Sequence, residues 1–419
     1  MSESRSKFGT WLRRHSLTLV AALGGAAGVA YAVTAHKPAK AAATQQTRTM
    51  TSVSTPQIVQ TPQPAGELPK DTVTDTVQIA LLLDTSSSMD GLINQARSHL
   101  WNMVDQMGKM TRVVDGKQRG VKIQLALYEY GNDTLSSQTG YIRQVQAFTG
   151  DLDKVSEKLH ALFTNGGSEY AGQAITVAIK DLQWSKDPST MRFVFVAGNE
   201  GFDQGPVSAV EAMKAADKAD INVQLILCGD KEETWSQAAK LAQSDLMTID
   251  QNRVAQHIPA PQDDEILQLG SELNATYMAY GAEGQASMMR QKEADFSSAK
   301  LSKKVAVERA QLKSKKGYSN SNWDLVDATK DDGKFLETAR DEQLPEAMRG
   351  KTLEEKKAMV AANAAKRADI QAKIAKLEAE RTKFVEAERA KLADKDAPSL
   401  ESELMKSTKK TASKKGYKF

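Results

Sequence analysis

The chain has 419 residues, more than one compact domain usually contains, so we expect a folded domain with additional segments. Its 56 basic and 53 acidic residues nearly balance, which gives no reason to expect nucleic-acid binding. The single cysteine, Cys228, excludes an intrachain disulfide framework and a multi-cysteine zinc site.

Residues 1–36 are predicted to be either a signal peptide or a membrane anchor. An uncharged stretch at residues 16–35 follows several basic side chains and is long enough to span a bilayer. Small residues near its end, in Ala30-Tyr31-Ala32, are typical of a cleaved export signal. Without cleavage, the same stretch would anchor the chain in the inner membrane, with its bulk outside the cytoplasm. Both alternatives predict an exported protein of the periplasm or cell envelope.

Residues 37–75 are rich in Ala, Thr, Gln and Pro and contain few large apolar side chains. Such a segment has too little apolar surface to form a core, so we predict a flexible linker. If the anchor is retained, this linker would hold the next domain away from the membrane.

Strand and helix patterns alternate over residues 76–258. Short apolar runs predict buried parallel strands, and apolar residues every three or four positions predict helices. The predicted strands cover residues 77–83, 121–128, 193–196 and 223–227, and the predicted helices cover residues 93–107, 155–163, 171–182 and 207–219. This alternation favours an α/β fold of the doubly wound, Rossmann-like kind, with a mostly parallel sheet covered on both faces. In such sheets, ligands bind at the carboxyl ends of the strands.

The loop after the first predicted strand carries oxygen-bearing side chains at alternating positions, namely Asp84, Ser86 and Ser88. One carboxylate and two hydroxyls can converge on a single point, and Mg²⁺ prefers oxygen ligands with one or two carboxylates among them. The alternative is that these side chains only form turns and cap the following helix. The position between a fully apolar strand and an amphipathic helix favours the metal site.

The run at residues 79–89 resembles the first strand and metal loop of von Willebrand factor type A domains. In that family, this loop joins a threonine and an aspartate from two other loops to form the metal-ion-dependent adhesion site. The resemblance implies that Asp84, Ser86 and Ser88 are ligands of the first loop. It also implies that Ser168, in a second loop, takes the threonine position. We expect Mg²⁺ at this site, with Mn²⁺ or Ca²⁺ as alternatives.

The third loop departs from the family's pattern. Gly198 stands where the resemblance places the aspartate, so an oxygen would have to come from a shifted position at Asn199 or Glu200, or from water. Loss of a carboxylate weakens metal binding, because the charge of the ligands helps to set the affinity. The departure therefore affects the expected affinity and leaves the expected location of the site unchanged.

Three further acidic side chains are predicted to line the crevice beside the metal loop. Glu129 and Asp133 follow the second predicted strand, and Glu169 follows Ser168. No catalytic residue is predicted, because the sequence has no Gly-x-Ser-x-Gly elbow, no phosphate-binding Gly-x₄-Gly-Lys loop and no His-Glu-x-x-His. We therefore expect a binding protein and not an enzyme.

Further stretches of the chain resemble a narrower set of bacterial exported proteins that contain this domain. The stretches that carry this resemblance are residues 129–132, 140–143, 165–170, 197–200 and 228–229, with a weaker one at residues 323–328. Together they cover roughly residues 76–330, and they support the fold and the exported location more than a particular activity.

The rest of the chain is predicted to be helical. We expect residues 259–345 to form a helical extension packed on or near the domain, and residues 346–395 to form a long charged helix. An apolar seam on that helix favours a short coiled coil and contains Ile370, Ile374, Leu377 and Phe384. The alternative is a solvated helix held by charge pairs, and the oligomeric state stays open. Residues 396–419 are rich in lysine and are predicted to be a disordered tail.

These features predict an exported or membrane-anchored binding protein of the cell envelope that captures a protein partner on its metal-site face. The N-terminal segment is predicted to contact the membrane if it is not cleaved. Two alternatives remain open. Gly198 favours a scaffold or assembly protein that does not use metal, and a metal-dependent hydrolase would need Glu129, Glu169 or Glu200 as its base.

Overall fold

The computed structural model describes residues 74–230, 232–250, 257–391 and 400–419. The predicted signal peptide or anchor, and residues 37–73 of the predicted linker, lie outside these ranges. Within them, every helix is too short or too polar to cross a membrane.

The strands of the described ranges form one seven-stranded sheet. They are β1 (Thr74–Asp84), β2 (Arg112–Val114), β3 (Lys117–Tyr130), β4 (Ile142–Thr149), β5 (Met191–Gly198), β6 (Asn222–Cys228) and β7 (Leu246–Ile249). Their order is β2-β3-β1-β5-β6-β7, and β4 pairs with β3. The five strands β3, β1, β5, β6 and β7 are all parallel to one another. Strands β2 and β4 both pair with β3 and run antiparallel to it. The predicted mostly parallel sheet is confirmed.

Burial explains which strands the sequence predicted. Every residue of β5 is buried, and so is every residue of β1 from Val77 onward, as a strand covered on both faces requires. The antiparallel strands β2 and β4 and the short edge strand β7 were not predicted. Most of their residues are exposed or half-buried, so they lack the continuous apolar run that marks a central strand.

Helices cover both faces of the sheet. The first five are α1 (Asp90–Gly108), α2 (Leu152–His160), α3 (Ala171–Asp181), α4 (Ala209–Lys218) and α5 (Glu233–Leu241). Successive β1 residues point to opposite faces, so Ile79 and Leu81 lie in one core with residues of α1 and α2. Ala80 and Leu82 lie in the other core with residues of α3, α4 and α5. This two-sided arrangement confirms the predicted doubly wound architecture.

The C-terminal region is helical, as the sequence predicted for the residues up to Lys391. Its helices are α6 (Asp263–Asn274), α7 (Gly284–Leu301), α8 (Lys303–Lys313), α9 (Leu325–Asp331), α10 (Phe335–Thr338), α11 (Leu353–Lys391) and α12 (Leu400–Lys414). Short 3-10 turns occur at Ser137–Thr139, Asp341–Gln343 and Glu346–Met348.

Helices α7 and α8 pack against the face of the sheet domain that α1 and α2 cover. The indole N–H of Trp101 in α1 donates a hydrogen bond to the hydroxyl of Ser298 in α7, at 2.8 Å. The guanidinium of Arg309 in α8 lies 2.7 Å from the carboxylate of Asp153 in α2. Since all four side chains are buried, the helical extension and the sheet domain share a continuous interior.

The apolar seam of α11 packs within the chain. Ile370 and Ile374 are buried in the core that includes residues of α1 and α12, and Leu377 packs on the small cluster of Ile266 and Val307. A seam that is covered by the chain's own α6 and α8 is not available to a second copy. The structure therefore gives no support to the coiled coil that the sequence predicted.

The predicted disorder of the C-terminal tail is wrong for residues 400–419. Helix α12 buries Leu400, Leu404 and Met405 against α1 and the sheet. After the helix, the backbone N–H of Lys418 donates to the carbonyl of Thr111, and the N–H of Thr111 donates back. The lysines of α12 are exposed, and the opposite side of the helix carries a buried apolar stripe. The sequence prediction of disorder was wrong because it followed the lysine content and not this stripe.

Candidate metal site

The first loop brings three oxygen-bearing side chains to the end of β1. Asp84 is fully buried, and its Oδ1 accepts a hydrogen bond from the backbone N–H of Ser86 at 2.7 Å. The hydroxyl oxygens of Ser86 and Ser88 lie 3.3 Å apart. The loop is fixed to the neighbouring strand because the N–H of Thr85 donates to the carbonyl of Tyr130 at 2.8 Å. Asp84, Ser86 and Ser88 are therefore held together, as the alternating pattern predicted.

The second loop is tied to the first by its backbone. The N–H of Ser87 donates to the carbonyl of Gly166 at 3.0 Å, and the N–H of Gly166 donates to the Ser87 hydroxyl at 3.0 Å. A single β-bridge joins Ser168 to Gly131, immediately after β3. Ser168 is thereby held at the carboxyl edge of the sheet, where the sequence placed it.

Of the two candidates in the third loop, Asn199 has the side chain that contacts the first loop. Its side-chain amide donates to the Ser88 hydroxyl at 3.0 Å, and its Oδ1 is buried without a hydrogen-bond partner in the described residues. The Glu200 side chain is exposed, and its backbone carbonyl accepts from the indole of Trp235 at 2.6 Å. Asn199 can thus offer an oxygen to the crevice.

Gly198 lies beside the Asp84 carboxylate in a space that is already filled. A Cβ atom at position 198 would lie 3.3 Å from Asp84 Oδ2 but only 2.5 Å from the Tyr130 hydroxyl and 3.2 Å from the Trp235 ring. That hydroxyl is fixed, because Tyr130 is buried and donates to the carbonyl of Ala197 at 2.9 Å. The aspartate that the resemblance places here would not fit without movement of Tyr130, and the sequence alone did not reveal this.

Substitution Gly198→Ala is expected to lower the free energy of unfolding by about 1–3 kcal/mol, because one added carbon overpacks a closed interior. Urea unfolding of the purified protein measures this. Tyr130→Phe removes the obstructing oxygen, so the double variant should be less destabilised than the two single losses added together. Full additivity, or a Gly198→Ala variant as stable as wild type, would contradict the packing argument.

The three crevice acids differ in their surroundings. Glu129 is buried, forms an ion pair with Arg143 and accepts a hydrogen bond from the Thr85 hydroxyl at 3.3 Å. Arg143 therefore compensates the charge of Glu129, and the hydrogen bond from Thr85 joins Glu129 to the first loop. Asp133 is exposed beside the second loop. Glu169 is only 5% exposed and lies beside Asp84 of the metal loop.

Glu169 and Asp84 meet above Gly131. A Cβ atom at Gly131, which has a φ of +81°, would lie 2.8 Å from both Asp84 Oδ1 and the Cγ atom of Glu169. Only glycine can occupy this position, since a side chain would clash with both acids and the backbone conformation is left-handed. The sequence predicted that Glu169 lines the crevice, but it did not predict this proximity to Asp84.

The pKa shifts reflect burial and the closeness of two acidic groups. Burial raises the pKa of Asp84 well above its usual range, and the adjacent charge of Glu169 raises it further. Burial likewise raises the pKa of Glu169. The pKa of the Tyr130 hydroxyl is raised by burial and then by the charges of Asp84 and Glu169. Each shift would be relieved by a positive charge placed between the two carboxylates.

The donor set fits a hard divalent cation. Asp84 Oδ2 and Glu169 Oε2 are both buried without a hydrogen-bond partner among the described residues, and such orphaned oxygens require an explanation. Within the same residues, no group of three or more His, Cys, Asp or Glu side chains is arranged to hold a metal ion. A cation here would therefore depend on hydroxyl and water oxygens in addition to carboxylates, which is a shell that suits Mg²⁺.

The fold and the site together define the class of this protein. It contains a doubly wound α/β domain with a candidate cation site in an oxygen-lined loop at the carboxyl edge of the sheet. Residues 78–258 match the family model of the von Willebrand factor type A domain, and this segment is a domain of that family. Comparison with curated proteins finds no match.

Several solved structures are similar to a part of the chain. Proximal thread matrix protein 1 from the mussel byssus is 13% identical over 42% of each chain, with a TM-score of 0.32. A further structure of that protein, with a zinc-occupied metal-ion-dependent adhesion site motif, is 12% identical with a TM-score of 0.31. An aerotolerance-related membrane protein from Bacteroides fragilis is 15% identical, over 42% of this chain and 93% of that chain, with a TM-score of 0.31. The chain spans less than half the length of the mussel protein.

Proposed function

We propose that this protein is an exported or membrane-anchored binding protein of the cell envelope, which captures a protein partner at the carboxyl edge of the sheet. Asp84, Ser86, Ser88 and Ser168 would hold a divalent metal ion, with Asn199 beside them. When bound, the ion would supply an open coordination position for an acidic group of the partner. We further propose that the protein is not an enzyme.

The orphaned Oδ2 of Asp84 carries this proposal. A fully buried carboxylate oxygen without a donor has a large desolvation cost, and a bound cation offsets that cost. The side chains around it contribute in different ways. The Ser86 amide orients Asp84, and the hydroxyl of Ser88 is positioned by Asn199. Exposure of the Ser87 and Ser88 side chains leaves this edge open to a large ligand.

Substitution Asp84→Ala is expected to abolish the rise in melting temperature that Mg²⁺ or Mn²⁺ produces in the wild-type protein. The same variant should lose capture of envelope proteins in a pull-down, as wild type should when EDTA is added. Asp203→Asn removes an exposed carboxylate that lies outside the proposed ligand set and serves as the matched variant that retains both properties. Partner capture that persists unchanged in Asp84→Ala would reject the metal-bridge mechanism.

The second candidate function is a scaffold that does not use metal. The observation that favours it is the packing of Tyr130 and Trp235 around Gly198, which leaves no room for a carboxylate from the third loop. In that case Asp84 and Glu169 would share a proton in place of a cation. Isothermal titration calorimetry separates the two functions, because only the metal-dependent binding protein should release or absorb heat with Mg²⁺ or Mn²⁺.

A further inference from the structure

We propose that Glu169 is a metal ligand of this chain and supplies the second carboxylate of the cation site. This inference rests on the proposed metal site at Asp84. The carboxylate of Glu169, in the second loop, would replace the carboxylate that the third loop lacks because Gly198 stands at that position.

The position of Glu169 is the first reason. The backbone of Glu169 is held in place, because its N–H donates a hydrogen bond to the side chain of Gln204 at 3.3 Å. Glu169 lies directly before α3, which begins at Ala171. The side chain lies next to Gly131, because a Cβ atom at Gly131 would lie 2.8 Å from the Cγ atom of Glu169 and 2.8 Å from Asp84 Oδ1. The Glu169 side chain therefore lies near Asp84 Oδ1, whereas Gly198 lies near Asp84 Oδ2.

The unmatched charge is the second reason. Glu129, the other buried glutamate of this edge, has Arg143 and the Thr85 hydroxyl as partners. In contrast, Glu169 Oε2 and Asp84 Oδ2 are both buried and lack a hydrogen-bond partner among the described residues. Two buried carboxylates that face each other repel unless a cation or a proton lies between them.

The closure of the third loop is the third reason. The Tyr130 hydroxyl fills the volume next to Gly198 and is itself fixed to the carbonyl of Ala197. No carboxylate can approach Asp84 from that side while Tyr130 keeps this position. Glu169 restores a set of two carboxylates, which is within the one or two that Mg²⁺ sites in proteins commonly have.

The test is calorimetric titration of the purified full-length chain with MgCl₂ and with MnCl₂. Glu169→Gln keeps the shape of the side chain and removes its charge, and it should weaken Mn²⁺ binding by about tenfold or more. Asp203→Asn removes an exposed carboxylate of the third loop and should bind as wild type does. Without metal, Glu169→Gln should melt at the wild-type temperature or above it, because a like-charge repulsion is gone. This result separates a lost ligand from a damaged fold.

Two results would overturn the inference. If Asp84→Asn loses binding while Glu169→Gln binds as tightly as wild type, Glu169 is not a ligand, and the metal site at Asp84 still stands. If Asp203→Asn weakens binding as much as Glu169→Gln, the effect is general electrostatics and not ligation. A wild-type protein that binds neither metal would reject both this inference and the metal-dependent function, and would indicate that the two carboxylates share a proton.

Discussion

A chain that ends at residue 399 is expected to lose most of its folded stability. The deletion removes four large buried side chains, and each contributes about 1.5–3 kcal/mol when it is buried. These side chains are Leu400, Leu404, Met405 and Tyr417. Since the net stability of a folded protein is only about 5–15 kcal/mol, their loss is a large part of it.

The deletion also breaks polar contacts at both ends of α12. Near its start, the Glu401 carboxylate lies 2.7 Å from the imidazole of buried His99 in α1. Near the C-terminus, the hydroxyl of Tyr417 donates to buried Asp75 at 3.0 Å. Asp75 keeps Arg112 and Arg119 as partners, so the greater loss is the apolar contact.

Thermal and urea unfolding would measure the effect, with circular dichroism as the probe. Since the truncated chain can fail to fold, Leu404→Ala is the quantitative variant, and we expect it to lower the free energy of unfolding by about 2–5 kcal/mol. Lys410→Gln, on the exposed side of the same helix, should change it by less than about 1 kcal/mol. A disordered tail would give no change in any of these variants, so that result would refute the packed position of α12.

The sequence predicted the central fold well, because the central strands are buried on both faces. Such strands appear as unbroken apolar runs, as in β1 and β5. The edge strands β2 and β4 are partly exposed and lack this signal. Helix α12 does have a detectable signal, namely Leu400, Leu404, Thr408 and Ala412 at intervals of four residues, but the many lysines of the same segment favour a disordered tail.

The candidate site was predicted only in part, because a motif fixes the chain positions of side chains but not the space between them. The alternating residues Asp84, Ser86 and Ser88 depend on one loop, so their proximity follows from the sequence. The approach of Glu169 to Asp84 depends on the absence of a side chain at Gly131, and the lack of space beside Gly198 depends on the rotamer of Tyr130.

The apolar seam of α11 was ambiguous for a similar reason, since an apolar stripe does not reveal whether its partner lies in the same chain.

Replacement of Arg309 by methionine is expected to lower the free energy of unfolding by about 3–5 kcal/mol, because it leaves a buried carboxylate without its cation. Arg309 is 1% exposed and lies 2.7 Å from the carboxylate of Asp153. Its Nε also donates to Asp295 at 2.9 Å, and its guanidinium stacks over the Trp101 ring at 4.3 Å from the centroid. The side chain thus joins α8 to α1 and α2 of the sheet domain, and its loss should loosen the helical extension from that domain.

Urea unfolding at neutral pH measures this loss, and Lys292→Met, an exposed charge on α7, is the matched variant that should show none. Asp153→Asn in the Arg309→Met background should recover part of the stability, since the unpaired carboxylate is then gone.

The pH dependence gives an independent check. Burial by itself would raise the pKa of Asp295, but the charges of Lys313 and Arg309 lower this pKa below its usual value. A lowered pKa stabilises the folded state above the unfolded value, and this contribution is lost as the pH falls through the folded value. The difference between wild type and Arg309→Met should therefore narrow as the pH falls below about 4. A difference that stays constant down to acid unfolding would show that Arg309 acts through packing on Trp101 and not through its charge.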